Sequence, residues 1–298
     1  MKAKGFNIFN YTKITIGEKL KVIAYQGETG AYSELAAKKF FGEKIKLSPS
    51  LTFESVFNKV ENDEAQYGVV PVENSLYGSV FETLDLLKKY SFGIIGELNL
   101  QINHYLMSTK KYRLSQIKKI YSHPQALGQC SEFIKSIKNV NVNPVYDTAG
   151  AAKIISEKNE EFAAAVASKN AAKEYSLQII KGHIQNNEEN FTRFLIISKN
   201  DRRIGKDDTN YKTSVCFELK SIPGALFKAL SVFALRDINL TKIESRPIPH
   251  KTFEYLFYVD LIGNVKDNKI KLALNHLEEI SKVVKVLGSY PIGKTYKD

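Results

Sequence analysis

The chain has 298 residues, a formal net charge of +11, 43% hydrophobic residues and 25% charged residues. That length suits one large domain or two ordinary ones, and the composition is that of a soluble globular protein. No apolar run approaches the ~20 residues that cross a bilayer, and residues 1–20 hold four Lys but no Arg or Ser, with no apolar core before a small-residue cleavage site, which argues against a secretory or transit leader. The positive charge is spread along the chain without a nucleic-acid motif, so it reads as a solvated Lys-rich surface, comfortable with a small dianionic substrate. Cys130 and Cys216 have neither zinc-knuckle nor disulfide spacing, and the five His are scattered; a reducing compartment and no metal are expected.

Taken in chain order, "KVIAYQG" (21–27) reads as a strand and "AYSELAAKKFFG" (31–42) as a helix, with Ser33 as its cap and Gly42 as its stop. "YGVVPVENS" (67–75) is a buried strand ending in polar residues. "GSVFETLDLLKKY" (78–90) is a helix with Val80, Leu84 and Leu87 on one face. "FGIIGELNLQINHYLMS" reads as strands, and "KIYSHPQALGQCSEFIKSI", "NPVYDTAGAAKIISEK" and "FAAAVASKNAAKEYS" each read as a strand followed by a helix. This alternation predicts open α/β sheets. "KNDRRIGKDDTNYK" (199–212) is polar and aperiodic, like a linker. Beyond it the order becomes βαββαβ, the ferredoxin-like arrangement.

Polar clusters recur where a strand's carboxyl end meets a helix start: "GETGAYS" (27–33), "ENSLYGS" (73–79), "SHPQA" (122–126) and "DTAGAA" (147–152). Loops at such places form the ligand crevice of open α/β sheets, and helix N-termini there suit carboxylates. "NFTRF" (190–194) adds Asn190, Thr192 and Arg193 at the mouth of an apolar strand.

These runs, in this order over residues 22–198, resemble the prephenate dehydratase family. The segment with "PGALFKAL" and "LTKIESRP" resembles the ACT regulatory domain attached to those enzymes, and the wording of several motifs is similar to the plant-type branch that includes arogenate dehydratases. The resemblance implies a two-lobed, periplasmic-binding-protein-like catalytic region over 21–198, with lobe 1 at about 21–99 and 185–198 and lobe 2 at about 100–184. A linker at 199–211 and a ferredoxin-like ACT domain at 212–291 would follow.

Prephenate loses its ring hydroxyl and a carboxylate together, driven by aromatisation, so the enzyme needs a proton donor at the departing oxygen and a grip on the charged ends. No metal or organic cofactor is required. Thr192 matches the family's essential threonine, and Asn74 and Ser75 join it as catalytic candidates. Substrate-binding candidates are Ser33, Thr148, His123, Phe194, Arg193 and Glu73. If side chains alternate, Thr192 and Phe194 share one face and Arg193 points away. Arg193 stays open between binding a carboxylate and pairing with Glu73, and His123 between donor and structural residue. Ala149 and Gly150 lie where prephenate and arogenate could be told apart. The resemblance further implies an L-phenylalanine site between two ACT domains, formed by Gly224, Ala225, Leu226, Asn239, Leu240, Glu244, Ser245 and Arg246. It implies a homodimer or homotetramer without nucleic-acid or membrane partners. The expected location is cytoplasmic, with a plastid left open for a plant or algal source. A non-catalytic amino-acid sensor is the competing reading, disfavoured by the intact "ENS", "DTA" and "TRF".

Overall fold

The structure, a computed structural model, describes residues 20–200, 210–248 and 251–297. The leader reading of residues 1–20 and most of the expected linker lie outside these residues. The described residues open with β1 (Lys21–Gln26), α1 (Tyr32–Phe41), β2 (Ile45–Ser50), α2 (Phe53–Glu61) and β3 (Tyr67–Asn74). Then come β4 (Gly78–Ser79), α3 (Phe81–Lys89) and β5 (Gly93–Gln101). It crosses into a second sheet with β6 (Tyr105–Ser108), β7 (Lys119–Ser122), α4 (Pro124–Gln129), α5 (Ser131–Lys135), β8 (Asn141–Pro144), α6 (Thr148–Lys158), β9 (Ala163–Ala167), α7 (Lys169–Glu174) and β10 (Gln178–Lys181). It returns as β11 (Phe191–Ser198), antiparallel to both β3 and β5 in the first sheet. This is a two-lobed α/β arrangement in which the chain crosses twice.

The C-terminal unit is β12 (Tyr211–Leu219), α8 (Ala225–Ala234), β13 (Leu240–Pro247), β14 (Tyr255–Ile262), α9 (Asn268–Ile280) and β15 (Ser281–Pro291), in strand order β13-β14-β12-β15. A last strand, β16 (Lys294–Tyr296), returns to the first lobe and pairs in parallel with β5. The sequence reading did not contain β16, β2 or α2. For α2 a signal was present, because Thr52 caps it by accepting from the Ser55 N–H at 3.1 Å.

Local chemistry explains how α1 starts. Ser33 is not the cap: the N-cap is Ala31, which has no capping side chain, and Ser33 is buried inside the first turn. The Glu34 carboxylate reaches back instead and accepts the Gly30 N–H at 2.7 Å, in the manner of half a capping box. The single helix expected after "SHPQ" is broken at Cys130 into α4 and α5.

One apolar core fills the space between α1 and the second sheet. It includes Ile23, Tyr25, Ala36, Ala151, Ala165 and Ala171. The strand β9, alanine but for Val166, and the small residues of α6 let backbone approach backbone. Ala149 is only 1% exposed here and Gly150 lies against the Tyr146 ring, so these two pack the lobe and do not themselves line the cavity described below. A second core joins the first lobe to the C-terminal sheet through Leu84, Leu87, Ile94, Tyr258, Leu287 and Tyr290. Gly288 lies so close to the Ile94 backbone that no Cβ fits. Both thiols are free and buried, and burial pushes Cys130 up to about 12 and Cys216 up to about 11. No helix among the described residues is long and apolar enough to cross a membrane.

The two crossings are tied together. Ile184 N–H donates to the His104 carbonyl at 3.1 Å, His104 N–H to Gln185 Oε1 at 3.0 Å, and Gln185 Nε2 to Asn103 Oδ1 at 2.7 Å. The His104 ring, 2% exposed, has Nε2 against Gln129 Oε1 at 2.6 Å. Burial pushes this imidazole down to about 4. Between pH ~6.5 and ~4 the unfolded chain therefore binds a proton that the folded chain refuses, so stability falls as pH drops through that window, by about 3 kcal/mol in all. His104→Gln is expected to flatten this acid-side decline in denaturation midpoints measured from pH 7 to pH 4; an unaltered slope would assign the decline to other groups. Gly30 has φ +90°, and a Cβ there would lie 2.7 Å from Ala171 Cα of the second lobe. Gly30→Ala should cost about 2 kcal/mol or more in urea unfolding; an unchanged midpoint would mean the lobes can part at this point.

Candidate active site

Between the lobes lies a cavity of about 330 Å³, the size of a small-molecule site. The first lobe contributes Ser33, Asn74, Thr192 and Phe194 to its walls, and the second contributes His123 and Thr148. Six of the nine residues proposed from sequence for catalysis or substrate binding thus meet in one place. The N-termini of α1 and α6 open onto it, bringing free N–H groups and positive dipole ends from opposite walls.

The arrangement around Thr192 has a clear polarity. Asn74 Oδ1 accepts the N–H groups of Leu76 at 3.0 Å and Tyr77 at 3.1 Å, which fixes the direction of its amide. Its Nδ2 therefore donates, to Asn190 Oδ1 at 2.8 Å, the Phe191 carbonyl at 3.1 Å and Thr192 Oγ1 at 3.1 Å. Thr192 accepts from Asn74, and its own proton remains free to donate into the cleft. Thr192 and Phe194 both face the cavity.

Among the further lining residues that sequence reasoning did not single out are His104, Gln129 and Asp147, with Gln26, Tyr32, Gln125 and Tyr146. Asp147 caps α6, accepting the N–H of Gly150 at 3.2 Å and, across the lobes, that of Glu28 at 3.1 Å. Burial pushes its carboxyl above the usual carboxylate range, against these N–H donors. Glu28 in turn accepts from Tyr146 at 2.9 Å and pairs with Lys153 at 3.1 Å, so the "GETG" and "DTAG" loops clasp one another. The signal for Asp147 was visible as a capping residue before "TAGAA"; nothing local marked His104 or Gln129. His123 caps α4, its Nδ1 accepting the Gln125 N–H at 3.3 Å, and burial lowers its pKa. Its other nitrogen is then the one that carries the proton.

Three of the nine lie away from the cavity. Ser75 does not line the cavity: its hydroxyl donates to the Glu189 carbonyl at 2.8 Å and accepts the Phe191 N–H at 2.9 Å, clamping the start of β11 to the "ENS" loop. Arg193 and Glu73 do not line it either. Arg193 points to the opposite face, donating to Asp260 at 2.5 Å, Glu97 at 2.6 Å and the Tyr290 hydroxyl at 3.1 Å, with Glu73 at 3.7 Å. Burial opposes its charge, yet Asp260 and Glu97 hold the guanidinium well above its usual range. Glu73 pairs with Lys242 at 3.1 Å.

The C-terminal candidates divide in the same way. Glu244 accepts from Ser79 at 2.6 Å, and Arg246 pairs with Asp85 at 2.6 Å while lying 4.4 Å over the Phe81 ring. Both are turned toward the first lobe. Gly224, with φ 75°, caps α8, followed by Ala225 and Leu226, and Leu226 is 38% exposed. Asn239 and Ser245 are exposed and Leu240 is half-buried, on or next to the edge strand β13.

Comparison with known proteins matches this geometry. The family model for prephenate dehydratase covers residues 23–202, and that for the ACT domain covers residues 214–279. The chain is 43% identical over 291 residues to arogenate dehydratase/prephenate dehydratase 2 of Arabidopsis thaliana, covering 95% of this chain and 75% of the relative. It is 43% identical over 279 residues to the bifunctional chorismate mutase/prephenate dehydratase of Aquifex aeolicus, covering 93% of this chain and 75% of the relative. The crystal structure of prephenate dehydratase from Arthrobacter aurescens in complex with L-Phe superposes with a TM-score of 0.84 at 30% identity, covering 91% of this chain and 90% of that one. With a two-lobed cleft, the Asn74–Thr192 pair at its wall and both family models in register, the chain belongs to the prephenate dehydratase family and carries the ACT domain of its regulated members.

Proposed function

We propose that the chain catalyses the decarboxylative dehydration of prephenate to phenylpyruvate, in the formation of L-phenylalanine. The observation that carries the reading is the Asn74 Nδ2 to Thr192 Oγ1 hydrogen bond of 3.1 Å, in which Thr192 accepts and so keeps its own proton for donation into the cleft. In the reaction the bond between the ring carbon and its carboxylate breaks, its electrons enter the ring, and the bond to the opposite hydroxyl breaks. CO2 and hydroxide leave, the hydroxide becoming water with a proton from solvent. Thr192 donates a hydrogen bond to the departing oxygen as its charge grows, and Asn74 fixes that donor beforehand, which is electrostatic preorganisation. Ser33 and Thr148, in the first turns of α1 and α6, supply donors suited to the carboxylates, and Phe194 shapes the ring pocket.

Arogenate differs from prephenate by an amino group in place of a keto group at the tail, and the 43% identity to a relative named for both activities supports its turnover as the alternative reaction. Regulation by L-phenylalanine is supported by the ACT domain and by the L-Phe complex of the Arthrobacter relative. Gly224, Ala225 and Leu226 begin α8, while Asn239 and Leu240 lie beyond its far end. That helix of ten residues is roughly 15 Å long, so one small amino acid bridging both groups requires two chains. A homodimer or homotetramer follows from this reading. A cytoplasmic location, or a plastid one for a plant or algal source, fits the free thiols.

Purified protein given prephenate and arogenate side by side should release phenylpyruvate or phenylalanine; binding of phenylalanine without either product would leave a sensor instead. Thr192→Ala should lower kcat about 10²- to 10³-fold with a near wild-type melting curve, and Thr192→Ser should recover much of the loss. Unchanged turnover in Thr192→Ala would remove this residue from the mechanism. Added phenylalanine should depress the rate, and a flat rate at saturation would reject the regulatory assignment.

A further inference from the structure

Two adjacent pairs of residues on β3 and β11 face opposite ways. Thr192 is the register partner of Asn74, and Arg193 that of Glu73. The first pair meets at the cleft wall; the second is gripped by the C-terminal sheet. Asp260 on β14 holds Arg193 at 2.5 Å, and Lys242 on β13 holds Glu73 at 3.1 Å. Asp260 and Lys242 are themselves register partners, and the ladder between their strands shifts at Leu240/Lys242. Ser214 on β12 fixes the remaining Asp260 oxygen at 2.5 Å, and Tyr290 on β15 reaches both Arg193 at 3.1 Å and Ser214 at 2.6 Å. Every strand of the C-terminal sheet thus touches this cluster. With Glu97 and Lys212, at 2.8 Å from each other, three cations meet three carboxylates.

We propose that Glu73 and Arg193 are positioning residues for Asn74 and Thr192, and that Lys242 and Asp260 of the ACT sheet set the cleft geometry through them. The inference rests on the dehydratase reading above. Its physical basis is chain length: one peptide unit separates Glu73 from Asn74 and Thr192 from Arg193, so a displacement of the buried ion pairs carries the catalytic hydrogen bond with it. The relay also begins beside the ligand candidates Asn239 and Leu240, at the strand shift between Leu240 and Lys242. A ligand that straightens or deepens that shift moves Lys242, and with it Glu73, relative to Asp260, and the side chains of Lys242, Asp260, Arg193 and Glu97 are enclosed enough to pass the motion on.

The test is steady-state turnover of prephenate by the full chain with and without phenylalanine. Asp260→Asn keeps the shape and the Ser214 partner but removes the charge. Its kcat should fall about tenfold or more, as expected when a reacting group is misplaced by a fraction of an ångström, with KM within about twofold and a smaller response to phenylalanine. Lys242→Met should act in the same direction and carries the test if Asp260→Asn fails to fold. Asp85→Asn removes another ion pair between the units, that with Arg246, and should leave kcat without phenylalanine unchanged. Folded Asp260→Asn and Lys242→Met with wild-type kcat would overturn the inference, as would an equal loss in Asp85→Asn, which would mark general loosening of the interface. A wild type inactive on both substrates sinks the functional reading and this inference with it; an active wild type with indifferent variants sinks the inference alone.

Discussion

The buried guanidinium of Arg193 is the constraint on which the arrangement turns. A charge enclosed to this degree persists only if partners surround it, and removing one partner from such a cluster costs about 3–5 kcal/mol. Here the partners come from both units: Glu97 of β5 and Glu73 of β3 on one side, Asp260 of β14 on the other. Lys212 of β12 balances Glu97 from the C-terminal side at 2.8 Å. Withdrawing the C-terminal sheet would take Asp260 from Arg193, Lys212 from Glu97 and Lys242 from Glu73. The two units are therefore docked by a requirement of charge as well as by the shared apolar core around Leu87, Ile94 and Tyr290.

That docking fixes β11, and β11 is the strand by which the chain returns from the second lobe. Alternation along it does the rest: Arg193 toward the C-terminal sheet puts Thr192 and Phe194 toward the cleft. At the cleft the chemistry is of the opposite kind. There are neutral donors on fixed backbone, helix N-termini on two walls, and a His104 imidazole kept uncharged by burial. A dianionic substrate meets dipoles aimed at it rather than mobile cations, which suits a reaction whose negative charge shifts from a carboxylate to a leaving oxygen. Asp147, the acid at this wall, is engaged by backbone N–H groups.

Much of this was legible in the sequence because it is local. Strand-to-helix alternation gave the layers, and "ENS" and "TRF" marked both ends of the Asn74–Thr192 bond although 118 positions separate them. The period-2 argument for Thr192 and Phe194 needed only one strand. What stayed hidden depended on partners far along the chain. Nothing near Arg193 announces Asp260, 67 positions on, and nothing near Glu244 announces Ser79. In β13 the alternation of Lys242, Glu244 and Arg246 says that these three share a face but not which face meets a ligand; packing against the first lobe decides it. Ala149 and Gly150 looked available because small residues in a helix start suit both ligand approach and tight packing, and only the facing alanine strand distinguishes the two. The strand β16 has three residues and no pattern to read.

The central claim is that carboxylates and cations of the C-terminal sheet act on catalysis through the Thr192 hydroxyl and not through general stability. The most direct measurement is a double-mutant cycle on kcat, with Asp260→Asn introduced into wild type and into Thr192→Ala. If Asp260 serves to place that hydroxyl, its loss has nothing left to misplace once the hydroxyl is gone, and Asp260→Asn should then cost little in the Thr192→Ala background. The same fold-loss in both backgrounds, with coupling below about 0.5 kcal/mol, would contradict the account.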